Sequence, residues 1–495
     1  MLILEKTMSL RPDRTMLAPG LEISRVITGL WQVADMERDG RVLDRDAAAA
    51  AMADYARDGF DTFDMADHYG SSELITGRFL SLQAATDEQR AAAFTKWCPT
   101  PGPMTPALVR AGIEERLERL GVPSIDLLQF HWWMFEHPGY IDAMKELVAL
   151  QREGRIRHLG LTNFDTDHLR LLVKHGFPIV SNQVSFSLLD RRAAENMSAF
   201  CLANGVRLLA YGTLGGGFLT DRWVGAPEPT SIEDWSKSKY KRFIDTIGGW
   251  SALQTILAAL QVIARKHRVS VANVATRWVL EQPAVAAVIV GARLGEREHR
   301  ADNAALFSFA LDDDDMRRID DALVSTRRIP GDCGDEYRRP PFLTASGDLS
   351  HHLESFPPVF KAIPVDARSD RLRIDSGSFW EPICGYSRAV RIRDRILVSG
   401  TTATHGTGEI ICPGDAEGQA IYILDKIAAS IASLGGTLAD TVRTRVYLSN
   451  ADDWESVSRA HGRYFGAVRP ANTLLEVSRL VGEYAVEIEA EAIVG

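Results

Sequence analysis

Four residues in the first third of the chain could together place a proton on an oxygen: Asp64, Tyr69, Lys96 and His131. A phenol titrates near pH ~10 and is a poor acid at neutral pH. An ammonium beside it stabilises the phenolate and lowers that value, and a carboxylate can hold the ammonium in place. A histidine next to the phenol can orient a carbonyl oxygen or relay a proton. Asp64, Lys96 and His131 each lie at or near the end of a short apolar run, and Tyr69 follows Asp64 in the next loop. One such residue usually marks a turn or a cap. Four in order, at the ends of successive strand candidates, point to one shared site.

The elements that must position them can be read from periodicity. Apolar runs at 26–30, 62–66, 93–97, 125–131, 158–163, 180–184, 207–211 and 287–290 alternate with helical stretches such as 45–57, 106–120, 140–152 and 271–280. Pro106 and Ser270 suit helix starts, and Gly59, Gly121 and Gly154 suit helix ends. Eight strand–helix units predict an α/β fold, a (β/α)8 TIM barrel, in which all strand ends of one polarity open at one mouth. The turn after Leu30, Trp31-Gln32-Val33, lacks the glycines a doubly wound dinucleotide fold would need. A glycine-rich stretch with Gly212, Leu214 and Gly216 follows the seventh strand, where barrels often bind phosphate and small residues let backbone N–H groups approach an anion. Residues 227–249 read as a long polar loop. Residues 311–324 read as a closing helix whose acidic start at 312–315 suits the helix dipole and needs no metal.

The chain of 495 residues is too long for one ordinary domain. The predicted division is a barrel over 1–328, a linker or draped tail over 329–367, and a small α+β domain over 368–495. The last contains a strand pair at 389–400, helices at 416–434 and 453–465, and strands at 441–448, 473–480 and 484–493. A net charge of −10 argues against nucleic acid or an anionic membrane as the main partner. No apolar run approaches the ~18–20 residues of a membrane span. The start of the chain has neither a basic region nor a long apolar core, so no secretory signal is expected. Five scattered cysteines without a CxxC pair suggest reduced thiols and a cytoplasmic location, and no histidine cluster has metal-ligand spacing.

Residues 20–325 resemble the aldo-keto reductase superfamily. FDMADHYG (63–70) matches its FDTAxxYG signature, FTKW (94–97) its lysine strand, LLQFHWW (127–133) its histidine strand and GLTNF (160–164) its cofactor strand. The resemblance implies Asp64, Tyr69, Lys96 and His131 as a catalytic tetrad. It also implies Thr162, Asn163 and Gln183 as partners of a nicotinamide carboxamide, and Tyr211 stacked on the ring. Arg293, His299 and Asn303 fall where the family holds the adenosine end of the cofactor. Arg293 favours NADP(H); His299 stands where many members carry arginine, which leaves NAD(H) as the alternative. Trp31, Trp97 and Trp132 are expected to wall the pocket of a ring-containing or apolar carbonyl or alcohol substrate, with Trp133 packed between helices.

Residues 368–495 resemble the YjgF/Rid family of reactive-intermediate deaminases, through Gly385-Tyr386-Ser387-Arg388, Leu397-Val398-Ser399-Gly400, Thr444-Arg445-Val446-Tyr447-Leu448, Arg469-Pro470-Ala471 and Val486-Glu487-Ile488-Glu489. Active members hydrolyse imines in clefts between the subunits of a trimer. Tyr386 and Glu487 keep cleft positions, but Asn472 occupies the place of the substrate-carboxylate arginine, and an amide cannot replace a bidentate guanidinium. The resemblances imply an NADP(H)-dependent oxidoreductase with a trimerising domain. The alternatives are a bifunctional enzyme whose second domain hydrolyses an imine, and a non-catalytic cofactor-sensing barrel.

Overall fold

The computed structural model describes residues 11–37, 40–85, 90–297, 299–338, 358–365 and 370–495, apart from the side chains of 235 and 236. A hairpin, β1 (Arg14–Ala18) and β2 (Leu21–Ser24), precedes eight parallel strands that close into a barrel: β3 (Val26–Gly29), β4 (Thr62–Asp64), β5 (Ala92–Trp97), β6 (Ile125–His131), β7 (Ile156–Thr162), β8 (Ile179–Ser185), β9 (Arg207–Tyr211) and β10 (Val285–Gly291). β10 pairs with β3 to close the ring. Ile27, Phe94, Leu127, Leu209 and Ile289 fill its interior, and Leu17, Leu21 and Ile23 of the hairpin join that cluster. The hairpin was not expected from the sequence; its alternating apolar residues plug the end of the barrel opposite the mouth.

The helices begin where short polar side chains can accept free backbone N–H groups. Asp44, Thr105, Asp165 and Ser270 each do so, and Asp312 with Asp315 forms a reciprocal capping box. One expectation is overturned. The stretch read as a polar loop after the seventh strand contains a helix, Trp235–Ile247, capped by Asp234. Its Lys and Arg residues disguised a buried stripe of Tyr240, Phe243, Ile244 and Ile247 at helical spacing.

The expected linker lies partly outside the described residues. Residues 329–338 drape over the barrel mouth, with a short turn at Asp335–Tyr337. β11 (Ile363–Pro364) already belongs to the second domain's sheet, so that domain begins earlier than the sequence suggested. It is followed by β12 (Arg371–Ile374), β13 (Ala389–Ile392), β14 (Arg395–Thr401), the small hairpin β15 (Thr404–His405) and β16 (Glu409–Ile410), then β17 (Thr441–Leu448), β18 (Ala471–Glu476) and β19 (Val486–Ile493). The sheet order is β11-β12-β13-β14-β19-β17-β18, antiparallel except for β17–β18. Helix Ala416–Ser433 is buried on nearly every side because the sheet covers one face and barrel helix Thr166–Lys174 another. Arg170 pairs with Asp415 at 2.7 Å and His405 with Asp142 at 2.8 Å across this junction.

Candidate active site

β4, β5 and β6 end side by side, and their ends carry Asp64, Lys96 and His131. Lys96 Nζ lies 2.5 Å from Asp64 Oδ2 and donates to the Met65 carbonyl at 3.1 Å. It also lies 4.8 Å from the centroid of the Tyr69 ring. The other carboxylate oxygen of Asp64 accepts from Gln129 Nε2 at 2.7 Å and Gln183 Nε2 at 2.8 Å. A fully buried ammonium is thus held by one carboxylate whose remaining oxygen is already satisfied. Burial pushes the Lys96 ammonium below its ordinary value, and Asp64 opposes that. His131 is held well below its usual value, first by burial and then by Arg338, His68, Lys96 and Lys239, so it is neutral at physiological pH.

All four tetrad residues line one cavity of about 550 Å³. Trp31, Thr162, Asn163, Gln183, Tyr211, Gly212, Leu214, Gly216 and Arg293 line it as well. Asn163 sits just past β7 with a positive φ of 56°, and its Oδ1 accepts from the Tyr211 hydroxyl at 2.8 Å. Gly212 has φ 70°, and a Cβ there would collide with the Tyr240 hydroxyl, so the turn after β9 requires glycine. The fit of a nicotinamide can be tested on Thr162. Its hydroxyl is buried at the cavity wall and has no protein partner, beside the amides of Asn163 and Gln183. A carboxamide needs both a donor and an acceptor, and this group of side chains offers both.

Several sequence expectations are corrected. Trp132 is fully buried away from the cavity; its indole donates to the Met134 carbonyl at 2.6 Å and it packs on Phe130 and Tyr140. Trp133 takes the pocket position instead, 4.2 Å from His131 between ring centroids. Consecutive residues leaving a strand point to opposite sides, so only one of the two can face the cavity, and it is Trp133. Trp97 is also buried against Phe130 and the helix residue Gly112, outside the cavity. His299 is exposed at the start of helix Arg300–Ala305, where its carbonyl accepts the Asn303 N–H at 2.8 Å; neither residue lines the cavity. Arg297 does.

Other site residues were not foreseen. Gln129 lies two residues before His131 and so faces the same side of β6, a signal that strand alternation offers. Lys239 and Tyr240 come from the unexpected helix, and Tyr337 from the draped tail. The Tyr337 hydroxyl lies 2.6 Å from Lys239 Nζ and 3.1 Å from the Tyr211 hydroxyl, and its ring meets Trp133 edge-on at 5.5 Å. No local pattern marks Tyr337.

The second domain brings two of its candidate residues to one arginine and leaves the third apart. Arg388 is buried under the electrostatic influence of both Tyr386 and Glu487, and Glu487 packs on Gly400. Asn472 instead donates to Thr444 Oγ1 at 2.9 Å on β17, on the far side of that strand from β19. Thr444 pairs with Ala490 of β19 and Tyr447 with Glu487, so Asn472 and Glu487 are also offset along the sheet by about 10 Å. Within one chain, then, Asn472 stands apart from Tyr386 and Glu487.

Residues 25–324 match the family model for the aldo/keto reductase family, and residues 378–494 match that for endoribonuclease L-PSP. The chain belongs to the aldo/keto reductase family. It is 26% identical over 332 residues to the NADH-specific methylglyoxal reductase of Escherichia coli (strain K12), covering 61% of this chain and 96% of that protein. It is 32% identical over 182 residues to flagellar radial spoke protein 5 of Chlamydomonas reinhardtii, covering 32% of this chain and only 34% of that relative. The solved structure of a glycerol dehydrogenase from Gluconobacter oxydans shares its barrel fold, with a TM-score of 0.53, 24% identity, and coverage of 66% of this chain and 98% of that one.

Proposed function

We propose that the barrel reduces an aldehyde or ketone, or oxidises the corresponding alcohol, with NADP(H) as hydride carrier. The observation that carries this reading is the line Asp64–Lys96–Tyr69 at one wall of the cavity that also holds Thr162, Asn163 and Gln183. When bound, the dihydronicotinamide supplies hydride to the carbonyl carbon. Tyr69 gives its hydroxyl proton to the oxygen as negative charge develops there. Lys96 stabilises the phenolate that remains, Asp64 fixes Lys96, and neutral His131 orients the carbonyl oxygen. Trp31, Trp133 and Tyr337 form an aromatic wall that suits a ring-containing or apolar carbonyl compound.

Arg293 and Arg297 at the cavity support a cofactor with a 2′-phosphate, although Glu296 lies 3.5 Å from Arg293 and partly neutralises it. A related protein is named as NADH-specific. The ratio of kcat/KM for NADPH and NADH with a carbonyl panel decides the matter, and a higher value with NADH overturns the NADP(H) assignment. Tyr69→Phe should lower kcat by about 10²–10⁴ and leave cofactor binding unchanged, because only the proton is lost. A variant that kept most of its rate would remove Tyr69 from the role of acid.

The second domain is proposed to join three copies through the open face of its sheet. That face carries Tyr447, and Leu397 and Leu475 are each 42% exposed, whereas helices cover the other face. Light scattering should give the mass of a trimer; a monomer at micromolar concentration would refute this.

A further inference from the structure

The second domain meets the barrel beside its candidate active site, and one of its arginines touches the chain that covers that site. Arg463, on helix Trp454–Phe465, is 20% exposed and faces three barrel-side carboxylates. Its Nη1 lies 3.1 Å from Asp332 Oδ2 and 3.0 Å from Asp167, and its Nη2 lies 2.9 Å from Asp165. Asp332 also accepts the backbone N–H of Thr166 at 2.9 Å, and its carbonyl accepts from Arg192 at 2.7 Å. It therefore ties residues 329–338 to the barrel.

The chain beyond Asp332 runs straight onto the site. Gly334 has φ 82° and lies so close to the Asn163 carbonyl that a Cβ would collide with it. Glu336 is fully buried, 2.8 Å from Arg192 and 3.6 Å from Lys239. Tyr337 then closes over Tyr211 and Trp133, and Arg338 donates to the Asn163 carbonyl. A second tie runs in parallel. His168 bridges Asp165 at 2.7 Å and Asp425 of the second domain at 2.8 Å, and Asp425 also accepts from the Tyr464 hydroxyl at 2.6 Å. Asp165 is only two residues beyond Asn163.

We propose that Arg463 is a positioning residue for the barrel reaction: through Asp332 it holds the 329–338 strap in place, so that Tyr337 completes the carbonyl side of the active site. The physical reason is charge. Loss of either partner removes the Arg463–Asp332 ion pair that ties the strap down; loss of the guanidinium also leaves Asp332 facing Asp165 and Asp167 as like charges. The appended domain is then part of the reductase site. The inference rests on the proposed carbonyl reduction.

The test uses the full chain with Arg463→Met and, because three clustered carboxylates, one of them buried, could then prevent folding, Asp332→Asn. The latter leaves Arg463 paired with Asp165 and Asp167. Either variant should raise KM for the carbonyl about tenfold or more, leave the NADPH dissociation constant unchanged, and speed hydrogen exchange in residues 332–338. Arg463→Lys should restore only part of the effect, since an ammonium lacks the planar fork that meets several carboxylates. A wild-type protein that reduces no carbonyl would sink the reading of the barrel. Unchanged exchange of the strap in Asp332→Asn, or an unchanged KM with normal folding, overturns the present inference whatever the turnover.

Discussion

The barrel mouth and the second domain's sheet treat their candidate residues in opposite ways. In the barrel, parallel strands all end at one opening, so Gln183 reaches Asp64 at 2.8 Å from 119 positions away. In the second domain, neighbouring strands mostly run antiparallel, which sends their ends to opposite edges; Asn472 meets Thr444 while Glu487 lies against Gly400. A set of matched positions therefore defines a site within one chain only where the topology makes the strand ends converge.

Variants can break or sharpen this contrast. The largest effect is expected at the convergent site: Lys96→Met should cost about 10²–10⁴ in kcat, because the phenolate then loses its cation. Steady-state turnover at saturating cofactor measures it, and a near-normal kcat would end the claim that these strand ends form a working unit. The two adjacent tryptophans come next. Trp132→Ala should lower unfolding stability by about 3–5 kcal/mol in urea with KM unaltered, as expected for a large core side chain. Trp133→Ala should raise KM for the carbonyl instead.

A smaller effect follows from pH at the junction of the two regions. His168 is fully buried; burial opposes its charge, but Asp165 and Asp425 outweigh this and raise its value from 6.5 to about 9. Arg463 and Tyr464 also face this cluster. A raised histidine contributes stability that is complete below pH 6.5 and is lost as pH rises through about 9. The loss is about 3 kcal/mol. The neighbouring Asp167, raised to about 6 chiefly by burial, titrates below that window. Urea midpoints across the interval should fall with pH in the wild type and stay level in His168→Gln. The smallest effect is expected in the second domain: Asn472→Ala and Glu487→Gln should leave carbonyl reduction unchanged, and a large loss in either would join their region to the barrel site.

The barrel site was legible because its residues sit in short motifs whose strands announce themselves by apolar runs. Asp64, Lys96 and His131 needed only the rule that parallel strands share a mouth. Legibility failed where a residue's direction, rather than its position, mattered. The side taken by Trp132 and Trp133 depends on how the chain leaves β6, and helix Trp235–Ile247 was hidden because its polar face carries so much charge. Gln129 could have been found by alternation; Tyr337 could not, because it lies 126 residues beyond Tyr211 and about 200 beyond Trp133, the rings it covers.

The sequence by itself determined the barrel, the four polar residues gathered at its mouth and the presence of a second folded unit, because strand periodicity and local motifs are short-range properties of the chain. Only the tertiary structure decided which aromatic rings wall the cavity, that the tail covers it, and that Arg463 pairs with Asp332 of that tail. Those outcomes depend on the packing of two domains and on the balance of buried charges between them, neither of which any stretch of sequence encodes locally.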